Sequence, residues 1–237
     1  MATDYASKRM RGNAALIPAE ALEPAAAIAT IKKFKGPKFD QTVNVALFLN
    51  MDPAQTEQGI RGSVSLPKGV GKTKKVVAFC SGDKIADCKA AGAVEAGGEE
   101  LVAKIEGGWM DFDAVVATPD MMRVIAKLGK VLGPKGLMPS PKTGAVTPKV
   151  VDAVKEFSAG KVEFRNDKGG NVHAILGKMS FTDADLVENL SAFVEAIEKM
   201  RPSTTKGGFI RKVVVSGSMT PAVVIKYTSA QAEGEQK

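Results

Sequence analysis

The spacing of apolar residues changes twice along this chain, and that change limits the fold more than any motif does. Val43, Val45, Leu47 and Leu49 alternate with other residues and define one face of a strand. Val162 and Phe164 alternate in the same way with Glu163 and Arg165. Between these stretches, Val76–Cys80 is an uninterrupted apolar run, and Asp113–Thr118 (DAVVAT) is a second. Alternation suits a sheet with one face in water, whereas continuous runs suit strands covered on both faces, as in parallel sheets. One chain therefore carries two kinds of sheet, and the covered kind lies inside the other.

The flanking elements fit this division. A helix is predicted over Ala21–Phe34, with Pro24 in its first turn, Lys32, Lys33 and Lys35 near its C-terminal end, and Gly36-Pro37 as its stop. Residues 1–21 are polar and alanine-rich and are expected to be loosely held. Strands follow over Val43–Leu49 and Gly62–Leu66. In the middle, the strand Val76–Cys80 leads to a helix over Asp83–Ala91, a short strand at Ala93-Val94 and a helix over Gly98–Ile105. The strand Asp113–Thr118 is followed by a helix from Pro119 to about Leu132, a Gly- and Pro-rich loop over Gly133–Pro148, and a helix over Lys149–Phe157. Strand and helix in alternation predict a parallel sheet with helices on its faces. After Gly160 the first rhythm returns. Asn166–Gly170 reads as the turn of a β-hairpin, and Asn171–Leu176 as its second strand. Thr182 caps a helix over Asp183–Met200, with Leu186, Leu190, Phe193 and Ile197 as its buried stripe. Val213–Val215 and Ala222–Tyr227 close the chain as a second hairpin.

The expected fold class is α/β and α+β in two domains. An antiparallel sheet with helices on one side, split-βαβ-like, is interrupted by an inserted three-layer α/β domain with a parallel sheet. The expected boundaries are residues 1–67 and 161–237 for the first domain and 68–160 for the insert. Glycines at both crossings, Gly69 and Gly160, would let the two hinge.

Charge narrows the range of partners. The net charge of +7 suggests a polyanion. The basic excess is 2 in residues 1–67, 3 in 68–160 and 2 in 161–237, so no segment is a basic tail and a shaped site is expected. No apolar run is long enough to cross a bilayer, and the N-terminal stretch lacks a signal-peptide core, so no membrane partner is expected. Cys80 and Cys88 have no histidine or further cysteine pair nearby and read as buried, reduced thiols. No cofactor or metal is expected.

Gly69-Val70-Gly71-Lys72-Thr73 superficially suggests a phosphate loop. Leu66 stands where that motif needs its first glycine, however, and the segment leads into a strand rather than a helix. A nucleotide-dependent enzyme using the inserted domain is the alternative function, and this failed motif argues against it. The sole histidine, His173, has no nucleophile set beside it, so no catalytic constellation is present. Trp109 reads as a packing residue. Three polar blocks remain at strand ends or turn tips: Lys38–Thr42, Arg165–Lys168 and Ser218–Pro221. Each mixes cations or exposed apolar groups with hydroxyls and amides, as RNA recognition by shape requires. Arg165 and Lys168 offer charge, His173 an edge contact, and Ser218 and Thr220 hydroxyls.

Four blocks carry a further likeness: KFDQTV from Lys38, GGWMDFDAVVATPD from Gly107, LGKVLGPKGLMP from Leu128 and EFRNDKGGNVH from Glu163. Together they resemble the bacterial large-ribosomal-subunit protein L-one family over about Pro24 to Ile225. The resemblance implies a second domain inserted into the first and a cleft that opens and closes. It also implies a non-enzymatic protein that binds the mobile stalk of large-subunit rRNA beside the tRNA exit site. Deacylated exit-site tRNA and the protein's own mRNA are implied as further partners, the latter for translational repression. The implied location is cytoplasmic, on the large subunit, with a monomer when free. The implied RNA contacts are Lys38, Phe39, Thr42, Asp167, Lys168 and Met219. One departure stands out: the family's usual Thr-Met-Gly is here Ser218-Met219-Thr220.

Overall fold

The computed structural model describes residues 7–52, 59–82, 84–202, 205 and 207–227. In chain order the elements begin with α1 (Lys8–Ala14), α2 (Pro24–Lys33), β1 (Thr42–Leu49), β2 (Arg61–Val64), β3 (Val76–Phe79), α3 (Lys84–Ala90), β4 (Glu95–Gly97), α4 (Glu99–Glu106) and β5 (Ala114–Ala117). They continue with α5 (Met122–Ile125), α6 (Gly129–Leu132), α7 (Val150–Ser158), β6 (Val162–Arg165), β7 (Asn171–Lys178), α8 (Asp183–Lys199), β8 (Ile210–Gly217) and β9 (Ala222–Ile225).

Contacts among the described residues divide them into two units. The first draws on Met1–Ile60, Leu66–Val70 and Phe164–Lys237, and the second on Arg61–Ser65 and Gly71–Glu163. The sequence grouped Gly62–Leu66 with the first domain, whereas Arg61–Ser65 groups with the second unit. The Ser63 hydroxyl donates to the Thr143 carbonyl at 2.7 Å, which ties β2 to that unit.

The first unit is built on an antiparallel sheet in the order β7-β1-β8-β9. Val43, Val45 and Leu47 of β1, Val172 and Leu176 of β7, Val213 and Val215 of β8, and Val223 and Ile225 of β9 are buried on one face. Helices α2 and α8 pack on that face through Ile28, Ile31, Leu186, Leu190, Phe193 and Ile197. Period-2 strands meeting period-3.6 helices account for this half of the fold. Pro24 is in the first turn of α2, and the Thr182 hydroxyl caps α8 by accepting the Asp185 N–H.

The second unit holds the parallel sheet β4-β3-β5. Strand β3 is buried along its whole length, and its residues serve two cores. Val76, Ala78 and Cys80 meet Val150, Val154 and Phe157 of α7. Val77 and Phe79 meet Leu101 and Ile105 of α4, together with Ile125, Leu128 and Leu132. That is the three-layer arrangement which an uninterrupted apolar run requires. Trp109 packs beside Phe112, their ring centroids 5.5 Å apart. Cys80 and Cys88 are buried free thiols with their Sγ atoms 3.9 Å apart, and burial pushes the Cys80 thiol up to about 12.

Four elements differ from expectation. The short strand expected at Ala93-Val94 forms instead over Glu95–Gly97. Helix α1 forms in the stretch expected to be loosely held. Ser7 caps it, and buried Asn13 exchanges two hydrogen bonds with the backbone of Lys35, a tertiary anchor that composition does not reveal. The helix expected over 119–132 breaks into short α and 3-10 turns, which still bring Ile125, Leu128 and Leu132 to the core. The largest difference is the hairpin around Asn166–Gly170. Strands β6 and β7 share a single bridge, Asn166 to Val172, and then part: β6 pairs with β2, and β7 with β1. Asn166 explains the divergence. Its side-chain oxygen accepts the Ile60 N–H at 2.9 Å and its own N–H donates to the Ile60 carbonyl at 3.0 Å, drawing β6 toward the segment before β2. Asp83, the expected start of α3, lies outside the described residues, as do residues 1–6.

Candidate nucleic-acid interface

The candidate residues gather at the two ends of β1. Seven residue steps at about 3.3 Å each separate these ends by roughly 23 Å. The Thr42 end collects Lys38, Phe39, Thr42, Ser218, Met219 and Thr220. The Leu49 end lies against the turn carrying Arg165, Asp167 and Lys168, where the Leu49 N–H donates to the Gly170 carbonyl. His173 stands between them, opposite Ala46 at mid-strand.

At the Thr42 end, side chains knit three chain segments together. Alternation turns Gln41 inward with Val43 and Val45, and its side chain is buried. Its Oε1 accepts the Met219 N–H at 2.8 Å, while its carbonyl accepts the Met179 N–H at 2.9 Å. Thr42 donates its N–H to Ser218 Oγ and accepts the Ser218 N–H at 3.0 Å, and Lys178 Nζ donates to Thr42 Oγ1 at 3.1 Å. Asp40 accepts from the N–H and the hydroxyl of Ser180. Gly217 is needed here for space, because a Cβ would come within 2.5 Å of Thr220 Oγ1 and 2.7 Å of Met179 Cε. What projects from this frame is apolar and cationic. Phe39 is 54% exposed and Met219 53% exposed, with Lys38 exposed beside them.

Thr220 points the other way. It is only 8% exposed, and its Oγ1 accepts the Gly217 N–H at 3.1 Å. Among the described residues none other than glycine has positive φ, so threonine fits here without strain. Ser218 is exposed, but its hydroxyl both accepts from and donates to the Thr42 backbone.

The Leu49 end is built locally. Asp167 Oδ1 accepts the N–H of Asn171 at 2.7 Å and of Gly169 at 2.8 Å, and Gly170 turns the chain at φ 77. Those bonds, the Asn171 N–H first among them, hold the Asp167 carboxyl below its usual range. Asp167 Oδ2 lies 3.6 Å from His173 Nε2. The carboxylate is therefore committed to shaping the turn, while Arg165, Lys168 and His173 are the exposed groups around it.

Lys178 and Ser180 were missed in the sequence, and Gln41 was read only as part of the surface block Lys38–Thr42, whereas it is buried. Gln41 was legible, since it falls on the inward face by the alternation of β1. The other two depend on strand register, which no local pattern encodes. Among the described residues no group of His, Cys, Asp or Glu could hold a metal ion, and no helix is long and apolar enough to cross a membrane. The Gly69–Thr73 segment runs on into β3.

Comparison with known proteins gives a consistent picture. A family model described as the Ribosomal protein L1p/L10e family matches residues 31–221. The large ribosomal subunit protein uL1 of Protochlamydia amoebophila is 49% identical over 220 residues, covering 92% of this chain and 93% of that protein. The protein of the same name from a Nocardioides species is 48% identical over 206 residues, covering 87% of this chain and 86% of that protein.

Proposed function

The chain belongs to the ribosomal protein L1p/L10e family, and from that premise we propose that its first unit binds the mobile stalk of large-subunit rRNA. It is a protein of the large ribosomal subunit and not an enzyme. The finer reading places it in the cytoplasm beside the tRNA exit site, where it assists release of deacylated tRNA. The same surface also binds a stalk-like structure in its own mRNA and represses translation.

One observation supports the reading most. Phe39 and Met219 project from a frame fixed by Gln41, Thr42 and Ser218, with Lys38 and Lys178 alongside. Rigid apolar projections among cations and backbone-engaged hydroxyls suit an RNA surface read by shape, with lysines for phosphates. Of the proposed contacts, Lys38, Phe39, Thr42, Ser218 and Met219 form this surface. Arg165, Lys168 and His173 extend it, and Asp167 and Thr220 act through the backbone they hold.

The experiment is a titration of the full chain with a stalk fragment across a salt series, with the mRNA leader as competitor. Each phosphate contact adds about 0.7–0.9 to the magnitude of the log–log slope. Lys168→Gln is expected to lower it by one such increment. A slope near zero would show that the partner is not RNA, and a leader that fails to compete would remove the repressor role.

A further inference from the structure

Beyond His173 and Lys178, the face of the first unit's sheet opposite α2 and α8 carries chemistry that the proposed stalk contacts do not use. Across it, in register, stand Asn171, Phe48 and Lys212 in one row, His173, Ala46, Val214 and Val224 in the next, and Ile175, Asn44, Ser216 and Ala222 in a third. Phe48 and Ile175 are exposed, at 38% and 44%. No aspartate or glutamate occurs in β1, β7, β8 or β9, whereas Arg211, Lys212, Lys178 and His173 all do.

The pairing of β1 with β8 is irregular at one place. Phe48 opposes Lys212 and Leu49 opposes Ile210, so Arg211 is an extra residue in β8. A bulge of this kind re-aims side chains and is over-represented beside functional sites. Here it leaves two consecutive residues, Arg211 and Lys212, exposed, where simple alternation would bury one. The Arg211 guanidinium lies over the Phe48 ring, 5.9 Å from its centroid, and donates to the Asn50 side-chain oxygen. The cation is thus held in place by a ring and an amide. Lys212 is exposed beside it.

We propose that Phe48, Arg211 and Lys212 form a second RNA contact, which takes an unpaired nucleotide. Its base stacks on the Phe48–Arg211 pair, and its phosphate meets Lys212. Bases stack on aromatic rings and on guanidinium planes without regard to sequence, and cations beside such a platform follow the backbone. The four strands carry cations and no carboxylate of their own, and the one carboxylate beside them, Asp167, is engaged by its turn and His173, so the face fits a polyanion better than a protein strand. The inference rests on the RNA-binding reading above but concerns residues, Phe48, Arg211 and Lys212, that lie outside the proposed stalk contacts.

The test is fluorescence anisotropy of the full chain with two labelled RNAs at one fixed salt concentration: a short oligouridylate and the stalk fragment. Phe48→Leu is expected to weaken oligouridylate binding roughly fivefold or more and to leave stalk binding unchanged. Arg211→Lys keeps the charge but loses the plane, and is expected to weaken it likewise. It also keeps the question open should Phe48→Leu disturb the sheet. Met219→Ala is expected to show the reverse pattern. A parent that does not bind oligouridylate, or an Arg211→Lys variant that binds it like the parent, overturns the second contact while leaving the stalk reading intact. A photocrosslinker at position 48 that captures protein and no RNA on isolated large subunits overturns it too. Loss of stalk binding by the parent itself would instead sink the function proposed above.

Discussion

The two ends of β1 solve the same problem, holding a polar surface in one shape, by opposite means. At the Thr42 end, residues distant in sequence hold one another: Gln41 grips Met219, Lys178 bonds Thr42, and Ser180 bonds Asp40. At the Leu49 end, one carboxylate organises the next four residues, with Asp167 accepting from Gly169 and Asn171. A surface stapled across segments fails when one buried bond is lost, because that bond also joins strands. A self-contained turn can open without disturbing the sheet.

That contrast can be broken in four places. The largest effect is expected for Gln41→Leu, which fills the space but leaves the Met219 N–H without its acceptor. It should cost about 1–3 kcal/mol of stability, read from the urea midpoint, and weaken stalk binding as well. Gln41→Glu, which keeps an acceptor, should recover most of both, and a Gln41→Leu midpoint equal to the parent's would show that the joint does not depend on this bond. Met219→Ala should leave stability unchanged and cost on the order of 1–3 kcal/mol in stalk affinity, if its exposed side chain packs against RNA at the centre of the site. A titration indistinguishable from the parent's would remove it from the interface.

The third prediction concerns the turn alone. The Asp167 carboxyl titrates below its ordinary 3.8 in the folded chain, so the bonds it accepts are at full strength above that value. They are lost as pH falls through the folded value. Hydrogen exchange of the Gly169 and Asn171 amides, corrected for intrinsic rate, should lose protection over that acid range while the β1–β8 amides keep theirs. Simultaneous loss in both places would erase the distinction between the two ends. Smallest of all is Thr220→Gly, which removes only the bond to the Gly217 N–H and should change stalk affinity by less than about 1 kcal/mol. A larger loss would mean that threonine fixes the Met219 backbone more firmly than a single bond implies.

Much of this was legible in the sequence, and what was not has physical reasons. The alternation of Val43–Leu49 and the continuous run Val76–Cys80 revealed both sheets, because burial on one face or two leaves its mark residue by residue. The turn at Asn166–Gly170 was equally plain, but its meaning was not. A polar Gly-rich turn between two strands ordinarily joins partners, whereas here Asn166 hands β6 to a segment far back in the chain. The candidate blocks were visible because they punctuate strand ends, and Phe39 and Met219 within them are indeed exposed. Arg211 stayed hidden because a bulge is set by the register of two strands and has no signature of its own.

The insertion also sets the order of events during synthesis. Thr42 meets Lys178 across 136 residues and Ser218 across 176, whereas the three strands of the parallel sheet all lie within Val76–Ala117. At about 5–20 residues per second, β1 waits roughly 7 to 27 s after it is made before Lys178 exists to pair with it. The insert is by then fully translated. A nascent chain at that point holds every strand of the parallel sheet but only an orphan β1 of the other, apolar along one side and open at both edges, the state most prone to wrong pairing. The unit that is started first is the last that can be finished.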